Sequence, residues 1–155
     1  METHVTTRIV PLTAAVLLFA CFSVRAENEQ DIPWDKLRDT ANRYLDACST
    51  PKDVAGMQKK FKQRIKQRME DSDTLGEDSI MRSLMLDWAA GNTAKIKRKE
   101  KETITQACFY FVTFIDKGFL VPVQIREQLT PDNLKEIFNH LEGEIAKAKG
   151  TEKKE

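Results

Sequence analysis

The stretch that most constrains this chain runs from Thr103 to Val121, where Ala107 to Ile115 is apolar or aromatic at almost every position. Wound into a helix, such a segment has no face made for water. A helix that is apolar all round belongs in the middle of a domain. The segment therefore predicts a central helix with the other helices laid against it. At 155 residues the chain has room for one domain of this kind.

A second apolar run, near the start, has a different character. Ile9 to Val24 is almost continuously apolar, follows a short segment whose only Lys or Arg is Arg8, and leads into Val24-Arg25-Ala26 before Glu27. Small residues at −3 and −1 after such a run are the pattern of a secretory signal peptide, here 1–26, with cleavage after Ala26. The run is shorter than the roughly 20 residues a spanning helix needs, and Pro11 interrupts it. No transmembrane segment is expected after cleavage, and the expected location is outside the cell, or the periplasm of a bacterium. Losing Arg8, Arg25 and Glu2 brings the formal net charge from +1 to zero. A neutral chain has no global pull towards nucleic acid or anionic membrane. Cys21 is lost as well, and two cysteines remaining in an exported chain, Cys48 and Cys108, predict one disulfide. Closing a loop of about 60 residues would stabilise the fold by roughly 4 kcal/mol.

Between these two runs the pattern is helical throughout. Trp34, Leu37, Ala41, Tyr44, Leu45 and Cys48 recur at spacings of three and four, which predicts an amphipathic helix ending at Ser49. Thr50-Pro51-Lys52-Asp53 starts a second helix with a capping Thr, a first-turn Pro and an acid three residues on. Its apolar stripe is Val54, Met57, Phe61, Ile65 and Met69. A third helix carries Ile80, Met81, Leu84, Met85 and Trp88, with Gly91 as its expected stop. Asn92 or Thr93 would then cap the central helix, which would begin with the cations from Lys95 to Lys101 and end at Gly118. Val123 to Leu129 suggests a short helical turn, and Thr130-Pro131 starts a last helix with Leu134, Ile137, Phe138, Leu141 and Ile145. No alternating strand pattern occurs. The fold class is all-α: a single-domain bundle of four long helices plus one short one over residues 27–150, with 151–155 a disordered tail.

The inventory for catalysis is thin. After cleavage the one histidine is His140, so any Ser-His-Asp or Cys-His arrangement rests on it alone. Two cysteines and one histidine fall short of a structural zinc set, and no phosphate-cradling glycine loop is present. Asp71 to Gly76 has acids at the first and third positions of a calcium loop, but Leu75 and Arg82 stand where ligands are required. No cofactor, metal or enzymatic activity is expected.

The basic segments carry more information. The candidate binding residues are Lys59, Lys60, Lys62, Arg64, Lys66 and Arg68 on the second helix, and Lys95, Lys97, Arg98, Lys99 and Lys101 at the entrance of the central one. Cations at a helix N-terminus oppose its macrodipole at about 0.3–1 kcal/mol each. A cluster that costs stability points to a partner, here a protein or another anionic macromolecule. Aromatic residues are not interleaved with the cations, so nucleic acid is not the expected partner. The leading expectation is an exported, non-enzymatic binding protein. A carrier that holds a hydrophobic ligand between the central helix and Met81 and Met85 is the first alternative. Salt-sensitive association of the basic faces with anionic membrane or glycan is the second.

Overall fold

A computed structural model describes residues 31–116 and 121–153, and among these the chain is all-helical. The helices are α1 (Trp34–Cys48), α2 (Pro51–Asp71), α3 (Glu77–Lys97), α4 (Lys101–Asp116), α5 (Val123–Arg126) and α6 (Pro131–Glu152). Five are long, of 15 to 22 residues, and one is short: each of the five long segments marked by the sequence pattern forms a helix, so the expected total of four long helices is one too few. The expected signal peptide 1–26 and the expected stop at Gly118 lie outside the described residues.

The central role of α4 holds. Nine of its residues are buried, among them the unbroken run Ala107 to Phe111. It packs against α1 and against α2 and α3, while α6 packs against α1 and encloses a small apolar space with α1 and α4. Charges and rings set the directions. Arg38, near the start of α1, approaches Asp116 at the end of α4 (4.0 Å), and Cys48, at the end of α1, lies near Lys101 at the start of α4. These two helices are therefore antiparallel. Lys36 sits 4.4 Å from the Phe138 ring centroid and Arg43 pairs with Glu142, so α6 runs parallel to α1.

Both Thr-Pro starts behave as the sequence predicts. Thr50 and Asp53 form a reciprocal capping box, and Thr130 accepts from the Asn133 N–H at 3.3 Å. The stripe of α2 is thinner than expected: only Phe61 and Ile65 are buried, and Met69 is exposed. At the other end of the chain, α6 continues through Gly150 to Glu152, so part of the expected tail is helical.

The main correction concerns the boundary between α3 and α4. Gly91 does not stop α3, and Asn92 and Thr93 do not cap α4. Asn92 donates to the Trp88 carbonyl (2.7 Å) and Thr93 to that of Ala89 (3.2 Å), both folding back one turn inside a continuing helix. Ile96, fully buried, carries the last turn into the core. The stop is Lys99, at φ 54, with its N–H on the Ile96 carbonyl (2.9 Å) and the Glu100 N–H on that of Lys95 (3.1 Å). This is a Schellman closure with lysine in the left-handed position usually given to glycine. Lys95 and Lys97 thereby fall in the last turn of α3, where the macrodipole favours cations. The expected cost of a cationic helix entrance does not arise for Lys95 and Lys97 and is left to Lys101, the first residue of α4.

The expected disulfide is absent: Cys48 and Cys108 are free thiols. The antiparallel register supplies the reason. Cys48 closes α1 beside Lys101 and Thr105, whereas Cys108 lies one to two turns further along α4, facing Leu37 and Ala41. Both cysteines occupy inward stripes, but a bridge also needs Cα atoms within about 4.4–6.8 Å of each other.

Placing Gly91 inside a helix has a signed consequence. A Cβ built at Gly91 meets nothing within 4 Å, so Gly91→Ala should stabilise the protein by about 0.5–1 kcal/mol. Thermal or urea unfolding measures the change. A loss of stability would instead put Gly91 in a left-handed stop.

Candidate functional site

The site begins with the thin packing of α2. With only Phe61 and Ile65 anchoring 21 residues, α2 leaves a groove between itself and the first half of α4. One cavity of about 280 Å³ lies between α2, α3 and α4. A second, of about 630 Å³, continues it towards the α1–α2 junction. Met57, Lys60, Glu102 and Gln106 line both, so the two form one groove.

Its smaller end has an aromatic floor. Tyr110 stands 5.4 Å from Phe61, 5.1 Å from Trp88 and 5.9 Å from Phe109 between ring centroids. The edge-to-face pairs Phe61–Tyr110 and Phe109–Tyr110 contribute about 0.5–1.5 kcal/mol each beyond the area they bury. The Trp88 indole N–H donates to Gln106 Oε1 at 2.8 Å, tying α3 to α4 across the floor. Burial pushes the Tyr110 phenol up, and the positive charge of the nearby Arg64 guanidinium pulls the other way.

The structure sorts the candidate cations. Lys60, Arg64 and Lys95 line the smaller cavity, and Lys60 and Lys101 the larger. None of these four forms an ion pair within 4.0 Å with a described residue. Four others are paired elsewhere. Arg68 bridges α2 to α3 through Ser83 (2.9 Å) and Asp87 (2.5 Å). Lys66 reaches Glu70 (3.9 Å), Arg98 reaches Glu100 (2.7 Å) and Lys99 reaches Glu136 (3.2 Å). Lys59, Lys62 and Lys97 are exposed and line neither cavity. The two basic segments thus meet at one place, through part of each.

The aromatic floor was not legible as a site, because Phe61, Trp88, Phe109 and Tyr110 read simply as core. The available signal was Gln106, an amide amid the apolar run that starts at Thr103. Met81 and Met85 are buried core residues, and the apolar space between α1, α4 and α6 measures about 40 Å³. Among the described methionines, Met57 alone lines the groove.

His140 and Cys108 both line that small apolar space. Burial drives the Cys108 thiol up and the His140 imidazole down. A nucleophilic cysteine requires the opposite shift of its thiol. Among the described residues no group of three or more His, Cys, Asp and Glu side chains is placed to hold a metal ion, and no helix is long and apolar enough to cross a membrane.

Compared with known proteins, the chain matches no protein family, no curated protein and no solved structure.

Two predictions follow from the two thiols and the Tyr44 phenol. Cys48 is half-buried and Cys108 fully buried with the higher thiol pKa, so an alkylating agent should modify Cys48 well before Cys108 in the native protein. Peptide-resolved mass spectrometry reads the order, and equal rates would contradict these surroundings. Burial also pushes the Tyr44 phenol up to about 12, against a smaller opposing influence of the Thr105 side chain. An unfolded phenol ionises near pH 10, so this contribution, about 2–3 kcal/mol, is intact below that pH and is lost as the pH rises towards 12. Denaturant unfolding at pH 9 and pH 11 should show the decline, and Tyr44→Phe should reduce it.

Proposed function

We propose that this chain is an exported, non-enzymatic binding protein that recognises another protein through the groove between α2 and α4. The observation that carries the reading is the gathering of Lys60, Arg64, Lys95 and Lys101, without ion-pair partners among the described residues, along one aromatic-floored groove. Lys60 and Arg64 stand one turn apart on α2, and like charges at that spacing repel by a few tenths of a kcal/mol. An anionic group from outside relieves that repulsion and gains charge-assisted hydrogen bonds. Export rests on the leader 1–26, whose charge, apolar run and small residues before Glu27 fit a cleaved signal.

A macromolecular partner suits the dimensions. From Lys52 to Arg64 the α2 wall of the groove extends about 18 Å at 1.5 Å per residue. That length accommodates about five residues of extended chain. The interior space of about 40 Å³ is far below the roughly 300–1,000 Å³ of ordinary small-molecule sites, so the groove supports the reading better than the core does.

Capture from the native fluid tests it. Immobilised protein should retain a partner, and the triple variant K60E/R64E/K95E should lower its affinity at least tenfold, or about 1.4 kcal/mol. Retention should also weaken with salt. The variant K97E/R98E/K99E, outside the groove, should have the smaller effect. Undiminished capture by the groove variant would refute the proposal.

A further inference from the structure

We infer that the smaller end of the groove is a subsite for an acidic peptide segment in which a carboxylate neighbours an aromatic or branched apolar side chain. This inference rests on the reading of the groove as a protein-recognition site and names the chemistry of the partner.

Three observations converge on this occupant. First, Arg64 lines the cavity close enough to the Tyr110 phenol for its charge to act on it, and Lys60 and Lys95 line the same cavity. A guanidinium fork takes a carboxylate through two parallel hydrogen bonds, a geometry a lone ammonium does not offer. Second, the floor beneath these cations is aromatic, and Trp88 is its partly exposed member. An apolar side chain beside the carboxylate would lie on it. The smaller end of the groove, about 280 Å³, has room for one such side chain and its acid.

Third, the cavity is not uniformly positive. Glu100 and Glu102 line it too, and Glu102 has no ion-pair partner among the described residues. A sulphated glycan or an anionic membrane presents negative charge at every step and would set some of it against these carboxylates. A peptide places its acids at particular positions and leaves the rest neutral. Repulsion of the wrong partner is as much a part of specificity as attraction of the right one.

The two tryptophans make the test direct. Trp88 lines the cavity and Trp34 belongs to α1, so their indole N–H resonances report the subsite and a remote control in one spectrum. The probe is a blocked pentapeptide with acids at its second and fourth positions flanking a central phenylalanine. Titrated into the protein, it should move the Trp88 indole resonance saturably and leave that of Trp34 in place. Replacing both acids by their amides, or the phenylalanine by alanine, should weaken binding at least tenfold. Arg64→Ala and Lys95→Ala should each weaken it several-fold, whereas Lys62→Ala, outside the cavity, should not.

A Trp88 resonance that stays put, or that moves equally for the amide peptide, overturns the inference. So does tighter occupation of this cavity by a heparin oligosaccharide or by phosphatidylglycerol vesicles than by the peptide. If partner capture still depends on Lys60, Arg64 and Lys95 while the peptide fails, the subsite chemistry is wrong and the groove reading stands. If capture ignores those residues, the groove reading itself falls.

Discussion

The structure depends on one requirement, that the circumference of α4 be kept from water. Phe109, Tyr110, Phe111 and Phe114 point in different directions from a single helix, and all four are buried. No single neighbour can cover such a surface. α1 takes one side and, backed by α6, supplies Leu37, Ala41, Tyr44 and Leu45. α2 and α3 take the other side as a pair. At about 25 cal/mol per Å² of apolar surface, the burial of these rings outweighs any local preference at the helix ends.

That requirement also explains where the bundle is incomplete. α3 covers its side of α4 with a broad face of Ile80, Met81, Leu84, Met85 and Ala89, whereas α2 brings Phe61 and Ile65. The remaining gap is the groove. Its floor is the ring cluster, buried except for the partly exposed Trp88, and its rim is the polar face of α2 with the ends of α3 and α4. A binding groove here is thus a by-product of unequal stripe widths on neighbouring helices. The cations Arg68, Arg98 and Lys99 make ion pairs that are at least 40% exposed on one side and are worth at most about 1 kcal/mol each. Their pairing matters more for which charges remain available than for stability.

Two residues show how the position of a helix boundary changes a functional inference. With α3 ending at Gly91, the cations from Lys95 onward would sit at a helix N-terminus and oppose its dipole. With α3 ending at Lys97 and closing on Lys99, Lys95 and Lys97 sit at a C-terminus and favour it. The reason to look for a partner therefore shifts from the cost of the whole cluster to the absence of an ion-pair partner at Lys95 and Lys101 among the described residues.

The sequence by itself determined the helical class, the central place of α4 and the two Thr-Pro starts. These rest on spacings of three and four residues and on caps within one turn, interactions that are local in the chain. Tertiary structure decided the rest. Gly91 continues a helix because Ile96, one turn beyond it, finds a buried place in the core, and Lys99 takes the left-handed position that no residue type there announced. Cys48 and Cys108 remain apart because the register of α1 against α4 sets them one to two turns out of step. Lys60, Arg64, Lys95 and Lys101 come together, and Lys59, Lys62 and Lys97 do not, because the rotation of each helix about its own axis selects which cations face the groove. Register and rotation are fixed by how whole apolar surfaces fit against one another, and no window of a few residues contains that information.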